Sequence, residues 1–145
     1  MYKRILLAYD GSKSGQKALL DCQDIAQWSN ATLNLIAVTP LYMDLIGVEG
    51  GVYDRSLADS EKEKYKGILD EGLRQLAASG HQARGEVLVG ETVDEISKYA
   101  SKIEADLIVV GHKHLDGWAA RWWRGSVSKS LIENAPCSVL VVITH

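Results

Sequence analysis

The chain has 145 residues, 46% of them hydrophobic and 24% charged, with 2 prolines. That is the balance of one globular domain, spanning residues 1–145, that builds its own core without disulfides or a structural metal. Lys plus Arg is 16 and Asp plus Glu is 19, a net charge of −3, which excludes a surface that grips nucleic acid all over.

No apolar run reaches the roughly 18 residues of a membrane span, and no signal-peptide pattern opens the chain. Cys22 and Cys137 stand far apart, without the spacing of a zinc site or a disulfide framework. A cytoplasmic protein with reduced, buried thiols is expected.

The first element is a short apolar strand, Ile5-Leu6-Leu7-Ala8-Tyr9. A helix follows, with Ala18, Leu19, Cys22, Ile25 and Ala26 on one face and Ser12 or Ser14 as its cap. The second strand is Leu33 to Val38. After it comes a long connection, from about Thr39 to about Tyr53. Gly47, Gly50 and Gly51 loosen it, and Leu41, Tyr42, Met43, Leu45 and Ile46 make it apolar. It reads either as a lid or interaction segment or as a plain surface excursion.

The second helix carries Tyr65, Ile68, Leu69, Leu73, Leu76 and Ala77 at helical spacing, and Gly80 closes it. Gly85-Glu86-Val87-Leu88-Val89 alternates, which predicts a strand near a sheet edge. Val93, Ile96, Ala100 and Ile103 form the third helical stripe, before the strand Leu107 to Val110. Val127, Leu131, Ile132 and Ala135 form the fourth, capped by Ser126, before the last strand, Val139 to Ile143. Strand and helix thus alternate to the end, which predicts a parallel sheet with helices on both faces and right-handed crossovers.

Ligands of such sheets bind at the carboxyl ends of the strands, where strand order reverses. Asp10 ends the first strand there. Its carboxylate can accept from a ribose hydroxyl, hold a metal ion, or merely close the Asp-Gly turn. Gly125-Ser126-Val127-Ser128 opens a helix, where free N–H groups and two hydroxyls suit a phosphate. A plain serine cap would look the same. Between Gly111 and Arg124, Lys113, Arg121 and Arg124 against Asp116 give 3 − 1 = +2, in a chain of net −3. Trp118, Trp122 and Trp123 in the same stretch suit a lid or a protein interface. His112 and His114 are two possible metal ligands without a third. No Walker motif, GxGxxG, GxSxG or HExxH occurs, and no nucleophile is paired with an oriented base, so the sequence speaks for binding.

Four blocks resemble the universal stress protein family. They are Ile5 to Ser12, Val38, Asp106 to Gly111, and Ala135 to Val142, and the resemblance runs the length of the chain. It implies a Rossmann-like sheet of five parallel strands in the order 3-2-1-4-5, like that of the adenine nucleotide alpha hydrolases. It also implies a homodimer formed through the last strand, whose apolar edge needs covering, and protein partners the sequence does not name. In the family's terms an adenine nucleotide, ATP or AMP, would lie against Ala8, Tyr9 and Asp10. Asp10 would take the ribose, and the main chain of Val38 the adenine. Val110, Gly111, His112 and His114 would lead to the phosphates, cradled by Gly125, Ser126, Val127 and Ser128. Mg²⁺ would accompany ATP, and hydrolysis would amount at most to a weak ATPase, since no residue is placed to activate water.

The family's phosphate segment reads Gly, two residues, Gly, nine residues, Gly, then Ser or Thr. Here His114 replaces the second glycine, and ten residues separate it from Gly125-Ser126. The histidine ring can either obstruct the pyrophosphate path or donate to it. A dimeric interaction module that binds no nucleotide is the alternative reading.

Overall fold

A computed structural model describes residues 1–40, 55–113 and 127–144. Most of the long connection, and with it His114, Gly125, Ser126 and the three clustered tryptophans, lies outside the described residues.

The elements follow in the order β1 (Arg4–Ala8), α1 (Lys13–Ser29), β2 (Thr32–Pro40), α2 (Arg55–Ala78), β3 (Ala83–Gly90), α3 (Thr92–Lys102), β4 (Leu107–Lys113), α4 (Val127–Asn134) and β5 (Ser138–Thr144). The strands form one sheet, ordered β3-β2-β1-β4-β5, and every pairing is parallel. This is the predicted Rossmann-like topology, with the weakly patterned Gly85–Val89 stretch on an edge strand. None of the described helices is long and apolar enough to cross a membrane.

The alternation of side chains along each strand divides the core in two. Ile5, Leu7 and Tyr9 pack with Leu33, Leu35 and Ala37 under α1 and α2. Leu6, Ile36, Ile108 and Val110 pack under α3 and α4 on the other face. Ala18, Leu19, Cys22 and Ala26 of α1 are all buried, as their spacing predicts. Burial, and then the Asp21 carboxylate, push the Cys22 thiol up to about 12, so it stays protonated and behaves as a small apolar core group.

Two helical stripes need correction. On α2, Ala77 is exposed, and Leu76 beside it is the buried residue. On α4, Val127 and Ile132 are exposed, and Ser128 and Leu131 are the buried pair. Leu131 sits at the centre of the covered face with no accessible surface, and Ser128, three residues earlier, falls on the same side. This eight-residue helix beside an edge strand has a narrow contact stripe, and Ile132, about 100° round from Leu131, misses it.

Helices α1, α2 and α3 end in the same way. A left-handed residue follows each of them: Asn30 (φ 56°), Gly80 (φ 84°) and Glu104 (φ 55°). The next N–H then reaches back to the last turn, from Ala31 to Ala26 O, His81 to Leu76 O and Ala105 to Ala100 O, at 3.1, 2.9 and 2.8 Å. These are Schellman closures. Gly80 is the predicted one.

The end of β4 lies hard against the first turn of α1. A Cβ on Gly111 would overlap the main-chain carbonyl of Ser14 and stand 2.6 Å from the Gly15 nitrogen. Backbone cannot step aside as a side chain can, so Gly111→Ala should lower the melting temperature by roughly 5–10 °C. Gly67 is the control, with nothing within 4 Å of its Cβ position on an exposed part of α2. Gly67→Ala should raise the melting temperature by about 2–4 °C, because alanine costs less entropy in a helix. Differential scanning fluorimetry of both variants checks the opposite signs.

Candidate functional site

β1 is the shortest strand at the switch point. Its ladder with β2 runs to Ala8, opposite Ile36, and one more bond follows, from Tyr9 N–H to Ile36 O at 2.8 Å. The chain then turns away. Asp10 Oδ1 accepts from the Ser12 amide at 3.0 Å and from the Ser12 hydroxyl at 2.6 Å. Ser12 Oγ accepts in turn from Gly15 N–H at 3.0 Å and caps α1. Gly11 takes φ 78°, which the turn requires. Asp10 therefore performs the turn-closing role, and both of these bonds fall on one carboxylate oxygen.

β2 and β4 continue past this turn, to Pro40 and Lys113. In a parallel ladder, the main-chain groups of alternate residues point to the same neighbour. Ile36 points at β1, so Val38 points the same way, into the space that β1 has left. Among the described residues, neither its N–H nor its C=O has a main-chain partner on that side.

A cleft of about 220 Å³ opens here. It brings together the predicted Ala8, Tyr9, Asp10, Val38, Val110, Gly111 and Val127. His112 of β4 does not line it, and pairs in register with Ile143 of β5. Ser128 is buried on α4 and does not line it either. Three further wall residues, Tyr65 of α2 and Thr92 and Ile96 of α3, are not among the site residues expected from the sequence. Thr92 follows the carboxyl end of β3, and the strand-end rule applied to the third strand would have found it. Tyr65 belongs to a stripe read only as core.

Tyr9 is buried, and its ring packs against α2 at Gly72. Burial first, then the Glu71 and Asp10 carboxylates, hold its phenol above the usual tyrosine range. Burial, then Glu61 and Asp10, do the same to Tyr65. Both phenols are therefore protonated donors at neutral pH. Among the described residues no group of three or more His, Cys, Asp or Glu is arranged to hold a metal ion.

A larger hollow, about 500 Å³, lies at the opposite ends of the strands, between Tyr2, Trp28, Leu107 and Leu140. Its walls are almost wholly apolar, whereas the smaller cleft combines a carboxylate, hydroxyls and open main-chain groups. Convergent polar groups on a mostly apolar wall mark a ligand site, and they occur at the smaller cleft.

Residues 1–142 match the universal stress protein family. A protein of Staphylococcus aureus (strain USA300) named for that family is 32% identical over 99% of this chain and 86% of its own. A solved family structure from Burkholderia pseudomallei is 25% identical, covering 97% of this chain and 96% of that one, with a TM-score of 0.76. Another, a universal stress protein in complex with cAMP, is 24% identical and shares the fold over 99% of this chain and 97% of its own, with a TM-score of 0.71. The likeness runs the length of the fold, and the chain belongs to the universal stress protein family.

Proposed function

We propose that the chain binds an adenine nucleotide in the cleft at the carboxyl ends of β1, β2 and β4, as a cytoplasmic stress-response protein. The main chain of Val38 carries this reading. One donor and one acceptor, side by side beyond the end of β1, match the N1 and amino group of adenine. Guanine presents the reverse order at that edge. Solved relatives hold cAMP, AMP and dAMP, which supports the class of ligand.

In this reading Asp10 accepts from the ribose, and Ala8, Tyr9, Val110 and Gly111 bound the sugar. The phosphates run past the end of β4 toward Val127, which lines the cleft at the start of α4; Gly125, Ser126 and His114, the other sequence candidates for this part of the ligand, lie outside the described residues. Mg²⁺ takes one or two carboxylates and otherwise phosphate oxygens and water. Asp10 alone does not build a site for it, so the ion would arrive on the phosphates of ATP. The role is binding rather than turnover.

Calorimetric titration of AMP and GMP tests the reading. AMP should bind and GMP should bind far more weakly. No heat with AMP at millimolar concentration would falsify nucleotide binding and favour a protein-interaction module.

Asp10→Asn separates the turn from the ligand. The asparagine carbonyl can still accept from Ser12, so the melting temperature should move by no more than about 2 °C. A neutral amide is a poorer partner for a ribose hydroxyl, so AMP affinity should fall by about tenfold or more. Unchanged affinity would remove Asp10 from the ligand site.

We also propose a homodimer through β5. The strand is an edge, with Val139, Leu140 and Val141 half-buried and Ile143 half-exposed. An apolar edge of this kind needs a cover. Sedimentation should give a dimer at micromolar concentration, and Ile143→Lys should shift it toward monomer without unfolding the chain. A monomeric parent protein would sink the assembly.

A further inference from the structure

Thr92 opens α3 and lines the cleft, and among the described residues its hydroxyl has no hydrogen-bond partner. A threonine at a helix start ordinarily caps it. Here Glu91 does that work. Its two carboxylate oxygens accept from Val93 N–H at 3.2 Å and Asp94 N–H at 2.8 Å. A β-branched residue adds little to a helix, so neither the cap nor the helix accounts for the Thr92 side chain.

The surroundings narrow its role. α3 packs across β2 and β3, which puts Thr92 on the Val38 side of the cleft. Ile96, one turn on, lines the same wall. Ala8, Val38, Val110 and Val127 supply only aliphatic side chains there. The other polar side chains of the wall, Tyr9, Asp10 and Tyr65, belong to the β1 turn and to α2, on the opposite side. Thr92 is thus the one hydrogen-bonding side chain on the α3 half of the cleft among the described residues.

An adenine held by the Val38 main chain uses one amino hydrogen on the Val38 carbonyl and has a second to place. We infer that the Thr92 hydroxyl accepts it, which makes Thr92 a specificity-determining residue for a purine bearing a 6-amino group. This rests on the nucleotide reading given above. The choice of adenine over guanine stays with Val38, because a hydroxyl can also donate. What Thr92 adds is affinity for the 6-substituent.

Two ligands separate the possibilities. AMP carries the amino group, and purine riboside 5′-monophosphate has hydrogen in its place. Thr92→Val keeps the shape and removes the hydroxyl. It should weaken AMP about fivefold to tenfold and the purine riboside ligand by less than about twofold, with an unchanged melting temperature. Thr92→Ser should retain AMP binding. Should Thr92→Val fold poorly, Thr92→Ala carries the same expectation for the two ligands. If Thr92→Val binds AMP as the parent does, or loses both ligands equally, the Thr92 contact is overturned and the nucleotide reading stands. A parent protein that binds no AMP at millimolar concentration overturns both.

Discussion

Between Ala8 and Lys13 the chain leaves the sheet, while the strands on either side of it continue. The cleft depends on that difference in length. A strand that stops early in the middle of a parallel sheet leaves its neighbours with main-chain groups that nothing in the ladder can pair. Such groups are costly to bury unpaired, so they must meet water or a ligand. The stop is enforced locally: Asp10 and Ser12 hold the turn through a shared carboxylate oxygen, and Gly11 supplies the positive φ.

The same stop brings the start of α1 into the path of β4. That strand runs on to Lys113 and meets the Ser14–Gly15 main chain at a point where only a glycine fits. Gly111 is accordingly a packing requirement first. Any nucleotide contact it makes comes with a backbone already brought close by the fold. Asp10 is similar, since its turn-holding bonds are present in the protein alone. At both positions the fold and the ligand ask for the same residue, so a substitution there reports on both unless stability is measured alongside affinity.

Much of this architecture is legible in the residues. The strands β1, β2 and β4 read as continuous apolar runs because both their faces are covered, and the alternating β3 reads as an edge because it is one; β5 reads as a covered strand although it is the other edge, with only Val142 fully buried. Asp10 as a turn residue, Ser12 as a cap and Gly80 as a closure follow from local chemistry alone. What escapes is which turn of a helix overlooks the strand ends. Tyr65 and Ile96 belong to stripes that read as core, and periodicity does not say which part of a stripe borders the cleft; Thr92, directly after β3, is open to the strand-end rule. The burial of Ser128 in place of Val127 fails for a related reason: a short helix beside an edge strand shows too few turns to fix its rotation. The Glu104 closure escapes because glutamate rarely adopts the left-handed conformation.

The unpaired end of the β2 ladder also gives the molecule a built-in reporter. Amide hydrogens exchange with solvent at rates set by the opening of the bonds that hold them. Ile36 and Val38 lie two residues apart on one strand, yet Ile36 stands opposite Ala8 in the β1 ladder and Val38 has no such neighbour. The Val38 amide should therefore exchange quickly in the heart of a slowly exchanging sheet. Anything that donates an acceptor to it slows that one amide. Occupancy of the cleft can then be followed at a single backbone position, whatever the chemical identity of the occupant.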